Sequence, residues 1–255
     1  MTVNGLDHLV LMVPDLGTAI RDYTDLGFTV VPGGSHPTGT HNALIAFADG
    51  TYIELIAFER SNPDHRWWEP AQRGGGLIDF CMRSDDLLAD IARFRSAGVQ
   101  LEISPGERIR PDGFRLRWTL AQPSLPLILV VPFLIEDITP REERIPRKHQ
   151  HPNGATGIAG LRIAVREPAK IRELWSAMLA QPIEEAPRPD FGGGNIVFAI
   201  GQQQFEFVGP SEASSCLSRW GGSGSARACL LTLRSAEKQG LLDARKARTR
   251  VMLVR

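Results

Sequence analysis

GLDHLVLMVPDLGTAIRDYTDLGF, residues 5–28, sets the fold of this chain. Gly5 to Val13 is an apolar run of strand length. Pro14-Asp15-Leu16 then opens a helical stretch, TAIRDYTDLGF, which stops at Gly27. Three strand-like runs follow: FTVVPG, HNALIAFA and TYIELIAF. The last two are joined by Asp49-Gly50, a tight-hairpin signal because both residues tolerate the positive φ such turns need. The order is βαβββ.

That order repeats along the chain. From Gly76, LIDFCMRS is a strand, Asp85-Asp86-Leu87 caps the helix LLADIARFRSAG, and VQLEIS, FRLRWTLA and VPFLIEDI supply three strands. From Gly160, LRIAV is a strand, Glu167-Pro168 opens AKIRELWSAMLA, and PIEEA, NIVFAI and QQFEFVG complete the set. A fourth copy begins with ACLLTLRS and a helical AEKQGLLDARKART, but VMLVR ends the sequence where a second strand is expected. The fold class is therefore α+β, tandem βαβββ modules. Residues 1–75 and 76–140 form a first domain, and 159–255 hold the third and the incomplete fourth module. Residues 141–158 are polar and rich in Pro and charge, and read as a linker with a solvated charge run.

With 255 residues and 42% hydrophobic content, the chain can build real cores. Lys plus Arg and Asp plus Glu number 29 each, so no global charge excess draws it to nucleic acid or an anionic membrane, and a small molecule is the expected partner. The first residues have no basic segment, and Pro14 interrupts their apolar run, which fits neither a secretory signal nor a spanning helix. Cys81, Cys216 and Cys229 have no metal-ligand spacing, and their odd number suits a reducing compartment. A cytoplasmic protein is expected. The unfinished last module leaves homodimerisation through an edge strand open.

Aligning the copies on their helix caps sets His8 over Asp79 and Gly160. TYIEL, FLIED and QFEFV then bring Glu54, Glu136 and Glu206 to one place. The separations 54 − 8 and 206 − 160 are both 46, whereas 136 − 79 is 57 because of an excursion at Pro123 to Pro126. Alternate strand residues face opposite sides. Leu9, Leu11 and Val13 go to the helix, which leaves His8, Val10 and Met12 on the other face with Tyr52, Glu54 and Ile56. In the second copy Ile78, Phe80 and Met82 pack inward, which leaves Asp79 with Cys81 and Arg83. An imidazole and three carboxylates on rigid strands make a hard N/O set for a divalent ion such as Zn, Mn, Fe, Ni or Co. The competing reading is that His8 bonds locally and the carboxylates pair with Arg83, Arg115 or Arg117.

His41, at the start of its strand beside a Gly-rich turn, is a candidate substrate contact, general base or replacement ligand, whereas His36 reads as a turn histidine bonded to backbone. Trp118 and Tyr52 are candidate lining residues. In the third module Gly160 replaces His8 and Arg162 shares a face with Glu206, so a salt bridge is expected there and no metal. Gly192 to Gly194 precede a strand rather than a helix and make no phosphate cradle.

LDHLVLMVPDL, GGSHPTGTHNALIAF, TYIELIAF, SDDL and VPFLIED together resemble the glyoxalase-like group of the vicinal-oxygen-chelate superfamily, over about residues 4 to 140. The resemblance implies that the first two modules close an eight-stranded cup-shaped half-barrel, with metal ligands on the first and last strands of each module. Those positions are His8 and Glu54, then Asp79 and Glu136. Asp79 departs from the His, Gln or Glu usual at its strand. The function implied is a metal-dependent lyase or isomerase of a small oxygenated substrate, with Glu136 or Glu54 moving the proton. The alternatives are a metal-independent binding or sequestration protein and an extradiol-type dioxygenase, which needs a second histidine beside His8.

Overall fold

The computed structural model describes residues 3–180, 183, 196–209 and 226–255. Its first module runs β1 (Val3–Met12), α1 (Leu16–Asp25), β2 (Val31–Ser35), β3 (Thr40–Ala46) and β4 (Tyr52–Phe58). Asp15 caps α1 by accepting from the Thr18 amide at 2.7 Å, and Leu16, Ala19 and Tyr23 make its buried stripe. The short helix α2 (Trp68–Gln72) leads to the second module: β5 (Gly76–Ser84), α3 (Leu87–Ser96), β6 (Leu101–Ile109), β7 (Arg115–Pro123) and β8 (Phe133–Asp137). Asp86 caps α3 as Asp15 caps α1, and Gly27 and Gly98 end the two helices at φ +83°.

The two modules meet where β1 and β5 pair antiparallel. His8 lies opposite Cys81 and Val10 opposite Asp79, so one offset of 71 residues (79 − 8 and 81 − 10) carries each pair into the other. That relation is a local two-fold axis, and it confirms the alignment of His8 with Asp79. The eight strands run β1-β4-β3-β2-β6-β7-β8-β5 and close into a barrel, sealed between β2 and β6 by the single pair Ser35 and Ile109.

The third and fourth modules form a second sheet. It contains β9 (Ala155–Val165), β10 (Ile196–Ile200), β11 (Gln203–Val208), β12 (Ala226–Ser235), β13 (Gly240–Leu241) and β14 (Val251–Val254), in the order β10-β11-β9-β12-β14-β13, with α5 (Pro168–Leu179) from the third module. Leu9, Leu11, Ile53, Leu55, Phe80 and Met82 leave the barrel on its outer side and join Leu161, Ile163, Trp175, Phe205 and Leu231 in one core between the two sheets. Trp175 donates its indole N–H to the Val130 carbonyl at 2.9 Å, which ties α5 to the barrel.

Three expectations change. The helix expected over 236–249 does not form: Gly240 sits at φ +124°, outside helical space, and only a short helix α6 (Ala244–Ala247) remains. VMLV then pairs parallel to β12, as β4 does to β1, so it takes the closing position of its module rather than the second. The charge run after residue 140 is not merely solvated: helix α4 (Arg141–Arg144) brings Arg144, 1% exposed at its side chain, against Asp7, Tyr52 and Asp137. His151 is also buried, bonded to the Ala46 carbonyl and the Thr29 amide. PIEEA, apart from Ile183, lies outside the described residues, as do Gly192 to Gly194 and Cys216. Cys81 and Cys229 are buried.

Candidate metal centre

A β-bulge in β1 gives the barrel interior its first acidic group. Between Leu6 and His8 the register against β5 shifts by one residue, so Asp7 and His8 both turn inward. Strict alternation sends Asp7 to the helix side, which is why sequence reasoning missed it. Burial alone would raise the Asp7 carboxyl, but Arg144 and the hydrogen bond with His8 hold it well below the usual carboxylate range. Its two oxygens lie 2.9 and 3.0 Å from Arg144 nitrogens, and its Oδ1 lies 2.7 Å from His8 Nδ1.

An anionic acceptor at Nδ1 puts the imidazole proton there and leaves Nε2 of His8 with its lone pair free. That nitrogen faces Glu54 Oε2 at 3.7 Å. The His8 ring stacks on Tyr52, with centroids 4.5 Å apart, and meets Phe133 edge-on. Glu54, 7% exposed, accepts from the Asn42 amide at 2.5 Å through Oε1, and the same oxygen lies 4.0 Å from His36 Nε2. His36 bonds Thr40 Oγ1 through Nδ1, and burial lowers its pKa, so it is a neutral imidazole turned into the barrel. It was expected to be a turn histidine. The signal that could have found it is Thr40, four residues on, whose hydroxyl fixes the ring. His65 flanks the group: its Nδ1 accepts from the Trp67 amide, and burial pushes its pKa down to about 4.

The other expected ligands are placed differently. Asp79 is inside the barrel and fully buried, but Oδ2 accepts from Trp67 Nε1 at 2.9 Å and Arg66 at 3.1 Å, while Oδ1 accepts from the Phe80 amide. Its carboxylate anchors the 59–75 segment. Burial raises its pKa against those donors. Glu136 is outside the barrel, where Oε1 accepts from the Leu87 amide at the start of α3. Position by position, the image of Val10 opposite Glu54 is Cys81 opposite Phe133, so Phe133 stands where Glu136 was expected. The true separation is 54 (133 − 79), three residues short of 57, and an odd slip reverses the face. Ile78 also turns into the barrel, through a second bulge opposite Val10 and Leu11.

His41 points outward, a third exposed, with Nδ1 3.4 Å from Glu59. Trp118 lines the interior with Leu116 and Phe133, lying so close over Gly106 that a Cβ there would strike the indole. Tyr52 is buried, and its hydroxyl accepts from Arg144 at 2.6 Å. In the third module Arg162 and Glu206 form the expected ion pair at 2.6 Å.

Among the described residues one group brings three candidate ligand atoms close together. Asp7, His8 and Cys81 bring ligand atoms within 4.8 Å of one another. Arg144 and His8 already occupy Asp7, and in the absence of a metal, burial pushes the Cys81 thiol well above its usual range. His8 Nε2 lies 3.7 Å from Glu54 Oε2 and His36 Nε2 4.0 Å from Oε1, the oxygen that also accepts from Asn42, so these three do not converge as that group does, but two imidazoles and a carboxylate are ligand types that suit a divalent transition ion.

This arrangement, an eight-stranded barrel made of two βαβββ modules with its polar group inside, is the vicinal-oxygen-chelate fold. Residues 6–179 match the model of the glyoxalase-like domain, and the chain belongs to that family. No curated protein matches it in sequence. Solved structures that share the fold include a hypothetical protein from Staphylococcus aureus, with a TM-score of 0.70, 13% identity and 98% of both chains covered. They also include a mutant of 4-hydroxymandelate synthase from Streptomyces coelicolor, with a TM-score of 0.62 and 14% identity over 93% of this chain and 72% of that one. A fusion of a xylose isomerase-like TIM barrel with 4-hydroxyphenylpyruvate dioxygenase aligns with a TM-score of 0.56 and 13% identity, over 92% of this chain and 37% of the fusion. The first extends the likeness to the second sheet, beyond the residues of the family match.

Proposed function

We propose that the protein is a metal-dependent enzyme acting on a small oxygenated substrate, with a divalent ion held by His8, Glu54 and His36. The observation that carries this reading is the Arg144–Asp7–His8 relay, which fixes the His8 tautomer and leaves Nε2 facing Glu54. When bound, the ion supplies Lewis-acid polarisation of neighbouring substrate oxygens. Asn42 holds Glu54 by one oxygen, so Oε2 is the group that can take a proton from the substrate, in the manner of a lyase or isomerase. Trp67, Trp118 and Phe133 exclude water around it.

His36 favours a second reading. With two imidazoles and one carboxylate the site has the ligand types of a ferrous oxygenase, the class that His8 alone could not satisfy. Metal analysis of protein purified without a polyhistidine tag tests the common premise. Wild type is expected to bind a divalent ion in near-stoichiometric amount, and His8→Ala, Glu54→Gln and His36→Ala to lose it. A wild-type protein that stays metal-free after reconstitution overturns both readings. Oxygen uptake by the ferrous form with small hydroxy acids or catechols then separates oxygenase from isomerase.

A further inference from the structure

We infer that the cavity between β2, β6 and the 142–147 segment binds a small organic carboxylate, with Arg108 as its anchor. The cavity has a volume of about 350 Å³. Val31, Pro32, Leu44, Ile145 and Pro146 give it an apolar wall, and Arg108 lies in its floor.

Among the described residues Arg108 forms no ion pair. It is 3% exposed, its one hydrogen bond is to the Arg144 carbonyl at 2.8 Å, and its Nε has no partner. A buried guanidinium is normally matched by a carboxylate, because its donors and charge have left water together. Two of the other three cations lining the cavity, which include Arg147, are already matched. Arg110 holds Asp112 and Glu143, and Arg144 holds Asp7 and Asp137. Gly33 keeps the space beside Arg108 open, since a Cβ there would collide with the Asn42 amide and crowd the guanidinium.

Charge and shape select the ligand class. Arg108 offers one planar fork, which suits the two oxygens of a carboxylate. Glu142 and Glu143 stand at the rim and oppose the second charge of a phosphate monoester. The apolar wall accepts a hydrocarbon or aromatic body. The inference does not depend on a metal at His8 and Glu54, although Arg108 is near enough to Glu54 for the two charges to interact.

Sodium benzoate is the probe, with neutral benzamide and inorganic phosphate as comparisons, read by thermal unfolding and isothermal titration of the full chain. Benzoate is expected to raise Tm while the other two do not, and Arg108→Gln to weaken benzoate binding about tenfold or more. If Arg108→Gln does not fold, Val31→Trp decides, because it fills the cavity and leaves the arginine intact; loss of benzoate binding there supports the site. His8→Ala is expected to bind benzoate as wild type does, which separates this site from the metal reading. No benzoate shift in wild type, unchanged binding in a folded Arg108→Gln or in Val31→Trp, or phosphate binding as tight as benzoate would each overturn the assignment.

Discussion

The first and third modules place a buried glutamate at the same point and treat it differently. Glu54 and Glu206 stand beside Val10 and Arg162 in equivalent parallel pairs, and both are nearly buried, at 7% and 8% exposure. In the third module the neighbouring strand supplies the cation, and Arg162 closes on Glu206. In the first module that neighbour is Val10. Among the described residues Glu54 meets only imidazoles within ion-pair range, His8 and His36, together with the Asn42 amide. The second module removes the problem by placing Phe133 there. A carboxylate withdrawn from water needs compensating charge. The scaffold therefore has one ion-paired copy, although Glu206 Oε1 has no hydrogen-bond partner among the described residues, one apolar copy and one copy whose compensation is incomplete. The incomplete copy is where we place the ion.

The comparison breaks most severely if Arg144 is removed. Arg144→Met removes the cation that Asp7 and Asp137 share and leaves the fully buried Asp7 to Arg141 alone, and a loss of about 3–5 kcal/mol is expected in urea unfolding. The double variant Asp7→Asn, Arg144→Met should recover part of that loss, because Asp7 no longer carries a buried charge, although Asp137 still lacks Arg144. The double variant should also weaken metal binding, since it removes the anion that fixes the His8 tautomer. Full metal affinity in the double variant would show that the relay has no part in the site.

Acid should separate the modules next. The first module and the segments packed on it contain three buried or half-buried histidines, His36, His65 and His151, whose pKa values burial lowers, that of His65 to about 4 from an ordinary 6.5. Above pH 6.5 they are neutral in both folded and unfolded chains. As pH falls from 6.5 towards 4 the unfolded chain takes up protons that the folded one refuses, so stability is lost through that window. Asp79, shifted upward from 3.8, works in the opposite direction as pH falls towards that value. Unfolding midpoints at pH 7.5, 6.5, 5.5 and 4.5 should decline, and His65→Gln should flatten the decline. A level profile in wild type would contradict the neutral assignment.

The repeat was legible in the sequence because caps and periodicity are local. Asp15 and Asp86 cap their helices, Gly27 and Gly98 end them, and the alternation of Leu9 and Leu11 with Val10 and Met12 divides the two faces of β1 as expected. The inward placement of His8 and Glu54 was legible for the same reason, since both obey strand parity. What failed depends on non-local geometry. A bulge turned Asp7 inward, a turn in the Pro-rich excursion, with Leu129 at φ +64°, moved the register of β8, and Arg144 reached the barrel from 137 residues beyond Asp7. No periodicity encodes those three. His36 failed differently: its neighbours in sequence describe a turn, and only the curl of the sheet shows which way the turn faces.

Glu136 gives the smallest and sharpest test of the parity argument. Its carboxylate receives the Leu87 amide at the N-terminus of α3, where a negative charge meets the positive end of the helix. Glu136→Gln keeps an acceptor and removes the charge, so a loss of about 0.3–1 kcal/mol is expected, and less at high salt, because screening weakens the charge–dipole attraction. Metal content should not change. Glu54→Gln, the same substitution at the position whose side chain faces inward, should abolish metal binding. If Glu136→Gln lost the metal instead, β8 would have to shift by an odd number of residues in solution, and the barrel would have to trade Phe133, Ile135 and Asp137 for their outward neighbours. Ile135 and Phe133 are each 2% exposed within the barrel's apolar interior, and Asp137 is held by Arg144 through two hydrogen bonds. Those burials and bonds oppose the slip, which is why a three-residue difference in reading β8 decides whether the barrel has one carboxylate at its candidate metal centre or two.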